Sequence, residues 1–416
     1  MFEPDLGDIM TDRTFDIVVY GASGFTGRLV AEYLNTTYGV GGDLKWAMAG
    51  RSASKLASVR DEMGIPGDVP FVIADAGQPE TLKAMAESAK VVLTTVGPYQ
   101  LYGEPLLAAC AEAGTNYVDL CGEPAWMAQM IVKYQAKAEA SGARLVFSCG
   151  FDSVPFDLGV WFLQREAKAK FGHALPRVKG RVRNMKGTFS GGTAASLIAT
   201  LKAASQDKSI IKLLTNPFSL VPGFKGPQQP HSDKAEYDAA AKSWTAPFIM
   251  APINTKNVHR SNALAGHPYG ENFVYDERMM TGDGPKGEKR AKAAARQDSL
   301  QNILLAIAPT RWLIQTFVLP KPGEGPDKNA RETGFYDVLF IGEGADGELL
   351  RASVKGDRDP GYGSTSKMIS ECAAALVMNV DRQTTGGGVW TAGAAMGDVL
   401  IDRLQERAGL TFAIED

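Results

Sequence analysis

Three glycines spaced three apart, Gly21, Gly24 and Gly27, are the residues whose spacing most clearly implies chemistry. They follow a short β-branched run, Phe15–Tyr20, and precede a stretch of helical character, Arg28–Leu34. A strand, a glycine turn and a helix open a dinucleotide-binding βαβ unit. Gly21 permits the tight turn, Gly24 lets backbone approach a pyrophosphate, and Gly27 lets the helix pack closely on the strand. The helix N-terminus then faces the phosphate charge. Ser23 and Thr26 add hydroxyl donors, so the expected cofactor contacts in this turn are Gly21, Ser23, Gly24, Phe25, Thr26 and Gly27. At the end of the second strand an NAD-binding chain usually carries Asp or Glu for the ribose hydroxyls. This chain carries Gly50-Arg51-Ser52 there, with Lys55 one turn into the next helix. A guanidinium fork, a hydroxyl and an ammonium suit a 2′-phosphate that a carboxylate would repel. The expected cofactor is therefore NADP(H), with Arg51, Ser52 and Lys55 on its phosphate.

These residues need a scaffold that brings strand ends together. Six short apolar runs alternate with helical stretches: Phe15–Tyr20, Trp46–Ala49, Phe71–Ala74, Val91–Thr95, Tyr117–Leu120 and Arg144–Ser148. That alternation predicts a Rossmann-type doubly wound parallel sheet of the α/β class. Right-handed crossovers carry the strand C-termini to one crevice, where Gly21–Gly27, Arg51, Asp75, Gly97–Tyr99 and Cys149–Asp152 should meet. Asp75, Val96, Gly97, Pro98 and Tyr99 complete the expected cofactor contacts.

The pattern changes after Asp152. A helix over Phe156–Lys170 precedes a strand over Val178–Met185 whose basic residues alternate as a solvated face would. Gly191-Gly192-Thr193 opens a further helix and could hold a carbonyl or a phosphate, or serve only as turn and cap. Residues 215–268, rich in Pro, Gly and Asn, read as an excursion with little regular structure. Strands are expected at Asn272–Met279 and Phe335–Ile341, the latter in a hairpin with Leu349–Val354. The second domain is thus α+β with a mainly antiparallel sheet. The expected division is a flexible tail (1–13), a dinucleotide-binding domain (14–152), a substrate domain (153–360) and C-terminal helices (361–416) that return to the first domain. Leu300–Leu319 is the most apolar helical stretch. Pro309 and Arg311 make it a poor membrane span, so it reads as a core or interface helix, or as a greasy wall facing lipid.

Length and charge narrow the function classes. A chain of 416 residues suggests two domains, and a net charge of −3 gives no reason to expect a nucleic-acid partner. The four cysteines form no CxxC pair and the four histidines no HExxH spacing, so reduced thiols and no metal site are expected. The N-terminus carries no signal-peptide pattern, and the expected location is cytoplasmic.

Several further segments carry a family resemblance. Gly21–Gly27, Ala49–Ser52, Val96–Tyr99, Tyr102-Gly103, Tyr117–Glu123 and Cys149–Pro155 resemble saccharopine dehydrogenase-like oxidoreductases. So do Phe189–Ser196, Phe248–Thr255, Arg260–Leu264, Gly356–Tyr362 and Ala394–Asp398, so the likeness covers nearly the whole chain. From Phe248 onward it is most similar to the actinobacterial (mycobacterial) trans-acting enoyl reductase branch. That resemblance implies NADPH-dependent reduction of a carbon–carbon double bond in an acyl or polyketide chain, carried on a polyketide synthase, for phthiocerol-type envelope lipids. The expected location stays cytoplasmic, and the apolar Leu300–Leu319 stretch adds peripheral contact to the inner membrane as an extension. Two other readings stay open: a reductase of a small imine or amino acid, and a non-catalytic dinucleotide-binding protein at lipid surfaces.

Enoyl reduction places hydride on the β-carbon, needs donors for the enolate oxygen, and needs a proton for the α-carbon. Tyr99 is the first candidate for the acid or enolate donor, with a ring packed on the cofactor as the alternative. Asp152 is the second catalytic candidate, with a helix-capping role as the alternative. Cys149 has no histidine beside it in sequence, which argues against a nucleophile.

Overall fold

The computed structural model describes residues 13–187, 191–306 and 325–416, without the side chains of 191–194, 197 and 301–306. The tail 1–12 and the larger part of the Leu300–Leu319 stretch lie outside the described residues. The chain forms two compact units. The first comprises Met1–Cys121, Gln129–Phe151 and Tyr362–Ala408, and the second Gly122–Ala128, Asp152–Gly361 and Gly409–Asp416.

The strands of the first unit are β1 (Phe15–Tyr20), β2 (Trp46–Gly50), β3 (Phe71–Ile73), β4 (Ala89–Thr94), β5 (Asn116–Val118) and β6 (Arg144–Phe147). The helices between them are α1 (Phe25–Tyr38), α2 (Ala53–Glu62), α3 (Pro79–Ser88), α4 (Tyr99–Ala113) and α5 (Pro124–Ser141). Every residue of β2 and β6 is buried, as is β1 from Asp16 onward, which is why these runs are apolar without alternation. All pairings are parallel and the order is β3-β2-β1-β4-β5-β6, so the winding reverses between β1 and β4. A seventh strand that sequence reasoning missed, Gly388–Thr391, extends the sheet beside β6. A helix from late in the chain, Thr365–Met378, is buried along most of its length and packs on β1, β4, β5 and α1. Two buried polar devices hold it. Glu371 accepts from Tyr33, Tyr38 and Arg403, and Arg144 donates to Leu376 O (2.7 Å) and Val380 O (2.9 Å) at its C-terminal end.

In the second unit, α6 (Val154–Phe171) is followed by β7 (Arg177–Lys186), α7 (Gly191–Gln206), α8 (Lys208–Thr215), β8 (Glu236–Asp238) and β9 (Ser243–Pro247). Then come α9 (Ala251–Leu264), β10 (Val274–Gly282), α10 (Gly284–Ala306), α11 (Lys328–Glu332), β11 (Phe335–Glu343) and β12 (Leu349–Gly356). The sheet runs Leu410–Glu415, β12, β11, β7, β10, β9, β8. Only β7–β10 is parallel. Helix α6 packs on β11 and β12, and α9 on α6 and β10.

Three expectations need correction here. Residues 215–268 contain β8, β9 and a four-turn helix, because Pro252 occupies the first turn of α9 instead of ending an element. The last residues, Leu410–Glu415, are an edge strand of the second sheet and no helix, with Phe412 and Ile414 in its ladder with β12. The basic face of β7 is not a solvated stripe. Lys179 pairs with Glu343 (2.7 Å), Arg181 with Asp238 (2.7 Å) and Asp276 (3.0 Å), and Arg183 with Asp337 (2.7 Å) and Glu415 (2.6 Å). Arg181 is only 3% exposed. Other strands of the sheet, adjacent and more distant, supply a carboxylate to each of these cations, an arrangement that one strand's sequence cannot reveal.

Candidate functional site

The glycine turn leaves β1 at Gly21, whose φ of 90° lies in the left-handed region. Gly21 N and Ala22 N donate to Ala49 O at 3.0 and 3.1 Å, which fastens the turn to the end of β2. A Cβ on Gly21 would stand 2.8 Å from both Thr95 Oγ1 and Val96 Cγ2, so the turn also lies against the end of β4. A Cβ on Gly27 would stand 2.1 Å from Gly21 O, closer than any side chain tolerates. The fold thus gathers Gly21–Gly27, Gly50–Ser52 and Thr95–Val96 at one place. Helix α1 starts from Gly24, which offers no side-chain cap, so its first amides face outward unshielded. Gly24 is exposed, and Ser23, Phe25 and Thr26 are partly so. A backbone cradle without Cβ atoms, at a helix N-terminus, fits a dinucleotide pyrophosphate.

The other expected contacts divide by what their side chains already do. Arg51 and Lys55 are exposed and form no side-chain ion pair or hydrogen bond among the described residues. Ser52 caps α2, accepting from Lys55 N (3.3 Å), and shares a hydrogen bond with Ser54 (3.0 Å). Its hydroxyl is a helix cap first. Asp75 accepts from Gly77 N (2.9 Å), and its charge bears on Tyr20. Burial raises the Tyr20 phenol, Asp75 adds to that, and Arg51 opposes it, which places all three near the mouth of β1. Phe25 packs edge-on against Tyr362, with centroids 4.7 Å apart. Val96 N donates to Thr94 Oγ1 (3.2 Å), while Gly97 is exposed and Pro98 partly exposed.

Tyr99 does not present an acid. It is 4% exposed; its hydroxyl donates to Thr94 O (3.2 Å) and accepts from Leu120 N (3.0 Å). The single proton is committed to tying together the chain beyond β4 and beyond β5. Asp119, which sequence reasoning passed over, makes a similar tie. Its carboxylate accepts from Cys121 N, Ser148 N and the Tyr117 hydroxyl, each at 2.9 Å. Cys149 is a buried free thiol that donates to Val146 O (3.6 Å), and burial, with the Cys372 thiol adding to it, pushes it well above the usual range, so it is no nucleophile.

Asp152 belongs to the second unit. It caps nothing: α6 starts from Ser153, and the Asp152 carboxyl accepts no hydrogen bond among the described residues. It is partly exposed, yet the loss of surrounding water pushes its pKa up to about 7. Behind it lies a polar face of α9 that sequence reasoning missed. Asn257 Nδ2 donates to Ser153 Oγ (2.9 Å), and one turn earlier Asn254 Nδ2 donates to Glu277 Oε2 (2.9 Å). The Tyr275 hydroxyl donates to the other Glu277 oxygen (3.0 Å). Burial pushes the Glu277 carboxyl well up, outweighing those two donors, and the Asp152 charge adds to the rise. The signal was present as an Asn-x-x-Asn spacing in a helix opened by Ala-Pro, but it lay inside a stretch whose composition suggested a loop.

Among the described residues no cluster of His, Cys, Asp and Glu could hold a metal ion, and no helix is long and apolar enough to cross a membrane. Residues 17–146 match the family model of the saccharopine dehydrogenase NADP binding domain. The chain is 43% identical over 414 residues to a Mycobacterium tuberculosis protein described as a candidate trans-acting enoyl reductase, covering 95% of this chain and 96% of that one. It is 38% identical over 408 residues to the trans-acting enoyl reductase of Mycobacterium ulcerans, covering 95% and 96% respectively. Among solved structures, the apo saccharopine dehydrogenase (L-Glu forming) of Saccharomyces cerevisiae superposes with a TM-score of 0.52 at 10% identity, covering 97% of this chain and all of that one, a likeness of fold. With a glycine cradle built for a dinucleotide, the chain belongs to the saccharopine dehydrogenase-like NADP-dependent oxidoreductases, in the branch of the mycobacterial trans-acting enoyl reductases.

Proposed function

We propose that this protein is an NADPH-dependent enoyl reductase that saturates a carbon–carbon double bond in a thioester-bound acyl or polyketide chain. The observation that carries this reading is kinship over 95% of the chain to relatives named for that activity. The pathway would be that of phthiocerol-type envelope lipids, with a carrier-borne substrate on a polyketide synthase and a cytoplasmic location. Arg51 and Lys55, exposed and unengaged where a 2′-phosphate would lie, favour NADPH over NADH. The competing reading, reduction of an amino acid or imine, calls for cations that meet several substrate carboxylates. Arg181 and Arg183 on β7, the obvious supply, are each already paired with two carboxylates.

Bound NADPH would supply the hydride for the β-carbon. Asp152 is the proton donor for the α-carbon in this reading. Its carboxyl is free of hydrogen-bond partners among the described residues, partly exposed, and about half protonated near neutral pH. Proton transfer leaves the Asp152 carboxylate, which water can reprotonate. A general acid must hold its proton, so the rate of the proton-transfer step should fall as pH rises through about 7. The test is NADPH oxidation with an enoyl thioester, with the saturated product identified by mass. Asp152→Asn should bind NADPH as the parent does and lose turnover by about 10²- to 10⁴-fold. Undiminished turnover in that variant would remove Asp152 from the mechanism.

A further inference from the structure

Helix α9 has polar residues on two faces. Asn254 and Asn257 meet Glu277 and Ser153. By helical spacing, Lys256, His259 and Arg260 share the other face. That face meets the loop at Phe218–Leu220. The His259 and Phe218 rings are 4.7 Å apart, and Arg260 Nη1 donates to Leu220 O at 2.5 Å. Ser219 sits between those two contacts.

Three polar side chains here lie in buried residues and have a polar atom without a partner among the described residues. Ser219 Oγ and His259 Nε2 have no hydrogen-bond partner, in residues 8% and 3% exposed. Lys256 is 4% exposed and forms no ion pair or hydrogen bond among the described residues. Burial pushes its ammonium down to about 8 with no carboxylate opposing the shift, and it pushes His259 down to about 3, with the Lys256 charge adding to the fall. A lone buried ammonium is costly unless an anion meets it. Folded proteins rarely leave buried polar atoms unpaired without a functional reason. An ammonium, a hydroxyl and a neutral imidazole can all donate to the oxygens of one anion.

We infer that Lys256, Ser219 and His259 form an anion subsite in the second unit that takes a phosphate ester such as the one ending a pantetheine arm. The subsite deepens the enoyl reductase reading, on which it relies for the nature of the bearer. Two sources carry that chemistry, a soluble coenzyme A-type thioester and the arm of a carrier protein. In both sources the arm's phosphate is linked on two sides and carries one negative charge, which matches one cation plus neutral donors, with several oxygens to receive them.

The test is equilibrium binding of 4′-phosphopantetheine, coenzyme A and unphosphorylated pantetheine to the full chain and to Lys256→Met. In the parent, the phosphate should tighten binding at least about tenfold. Lys256→Met should abolish that preference, leave NADPH affinity unchanged, and leave Tm unchanged or higher, since it removes an unpaired buried charge. Ser219→Ala, which keeps the cation, should lose part of the preference. A parent that binds pantetheine as tightly as phosphopantetheine overturns the inference. So does a Lys256→Met chain that melts lower while keeping the preference. Phosphopantetheine and coenzyme A binding equally points to the shared phosphate; a preference only for an enoyl chain on a carrier protein, absent for both small molecules, counts against the subsite. Enoyl-pantetheine reduced as well as its phosphorylated counterpart would sink the subsite and leave the reductase standing. Phosphate-dependent binding without reduction of any enoyl thioester would do the reverse.

Discussion

Replacing Arg51 with Ala tests the cofactor assignment on one side chain. Arg51 is exposed at the end of β2, beside the glycine turn that is fastened to Ala49 O. Its guanidinium forms no ion pair among the described residues, so its removal breaks no internal bond and the fold should be unaffected. A hydrogen bond to a charged group contributes about 1.5–3 kcal/mol, and solvent screening at an exposed site puts Arg51 at the lower end. About 1.4 kcal/mol is tenfold in Kd. Arg51→Ala should therefore weaken NADPH by about tenfold and NADH, which has no 2′-phosphate, by less than about twofold. The gap between the cofactors in the parent should narrow as salt rises, because the contact is screened. Titration of intrinsic fluorescence with each cofactor, in both proteins and at low and high salt, measures all eight affinities. An equal loss for NADPH and NADH, or a loss insensitive to salt, would refute the reasoning.

Other substitutions probe the scaffold. Gly27→Ala places a Cβ 2.1 Å from Gly21 O, so the turn must open; overpacking of about 1–3 kcal/mol and a marked loss of NADPH affinity are expected, read by melting and by titration. Normal affinity in a stable Gly27→Ala chain would contradict the cradle. Tyr99→Phe removes the link between Thr94 O and Leu120 N, and should lower stability by about 1–3 kcal/mol while leaving kcat near that of the parent. Unchanged Tm with lost turnover would restore Tyr99 as the acid. Glu371→Gln leaves Arg403 buried without its charge partner, at a cost of about 3–5 kcal/mol, which should lower Tm by several degrees without altering the ratio of NADPH to NADH affinity.

Much of the first unit was legible because its signals are local. Phe15–Tyr20 is buried from Asp16 onward and mostly apolar without alternation, and three glycines follow at fixed spacing, so strand, turn and helix could be read from one short window. The strand Gly388–Thr391 was not legible. It is short, follows a glycine run, and gains its place only by pairing with β6, a partner far away in sequence. Leu410–Glu415 escaped for the same reason, as an edge strand defined by β12. The roles of side chains were harder still. Tyr99 stood where a catalytic tyrosine could stand, and its burial between two backbone groups depends on Leu120, a residue on another strand's loop. The cations of β7 looked solvent-facing until Asp238, Asp276, Asp337 and Glu415 arrived from four other strands. Asn254, Lys256 and Asn257 were hidden by a composition that resembles a loop, although Pro252 is in place to start a helix.

The most direct test of the central claim is the reaction itself, run in deuterium oxide with NADPH and an enoyl thioester. Reduction with proton transfer from an exchangeable group such as the Asp152 carboxyl predicts one saturated thioester per NADPH consumed, with one deuterium at the α-carbon and none at the β-carbon. No NADPH consumption with any enoyl thioester, or a product reduced at a carbonyl or imine instead, would contradict the account.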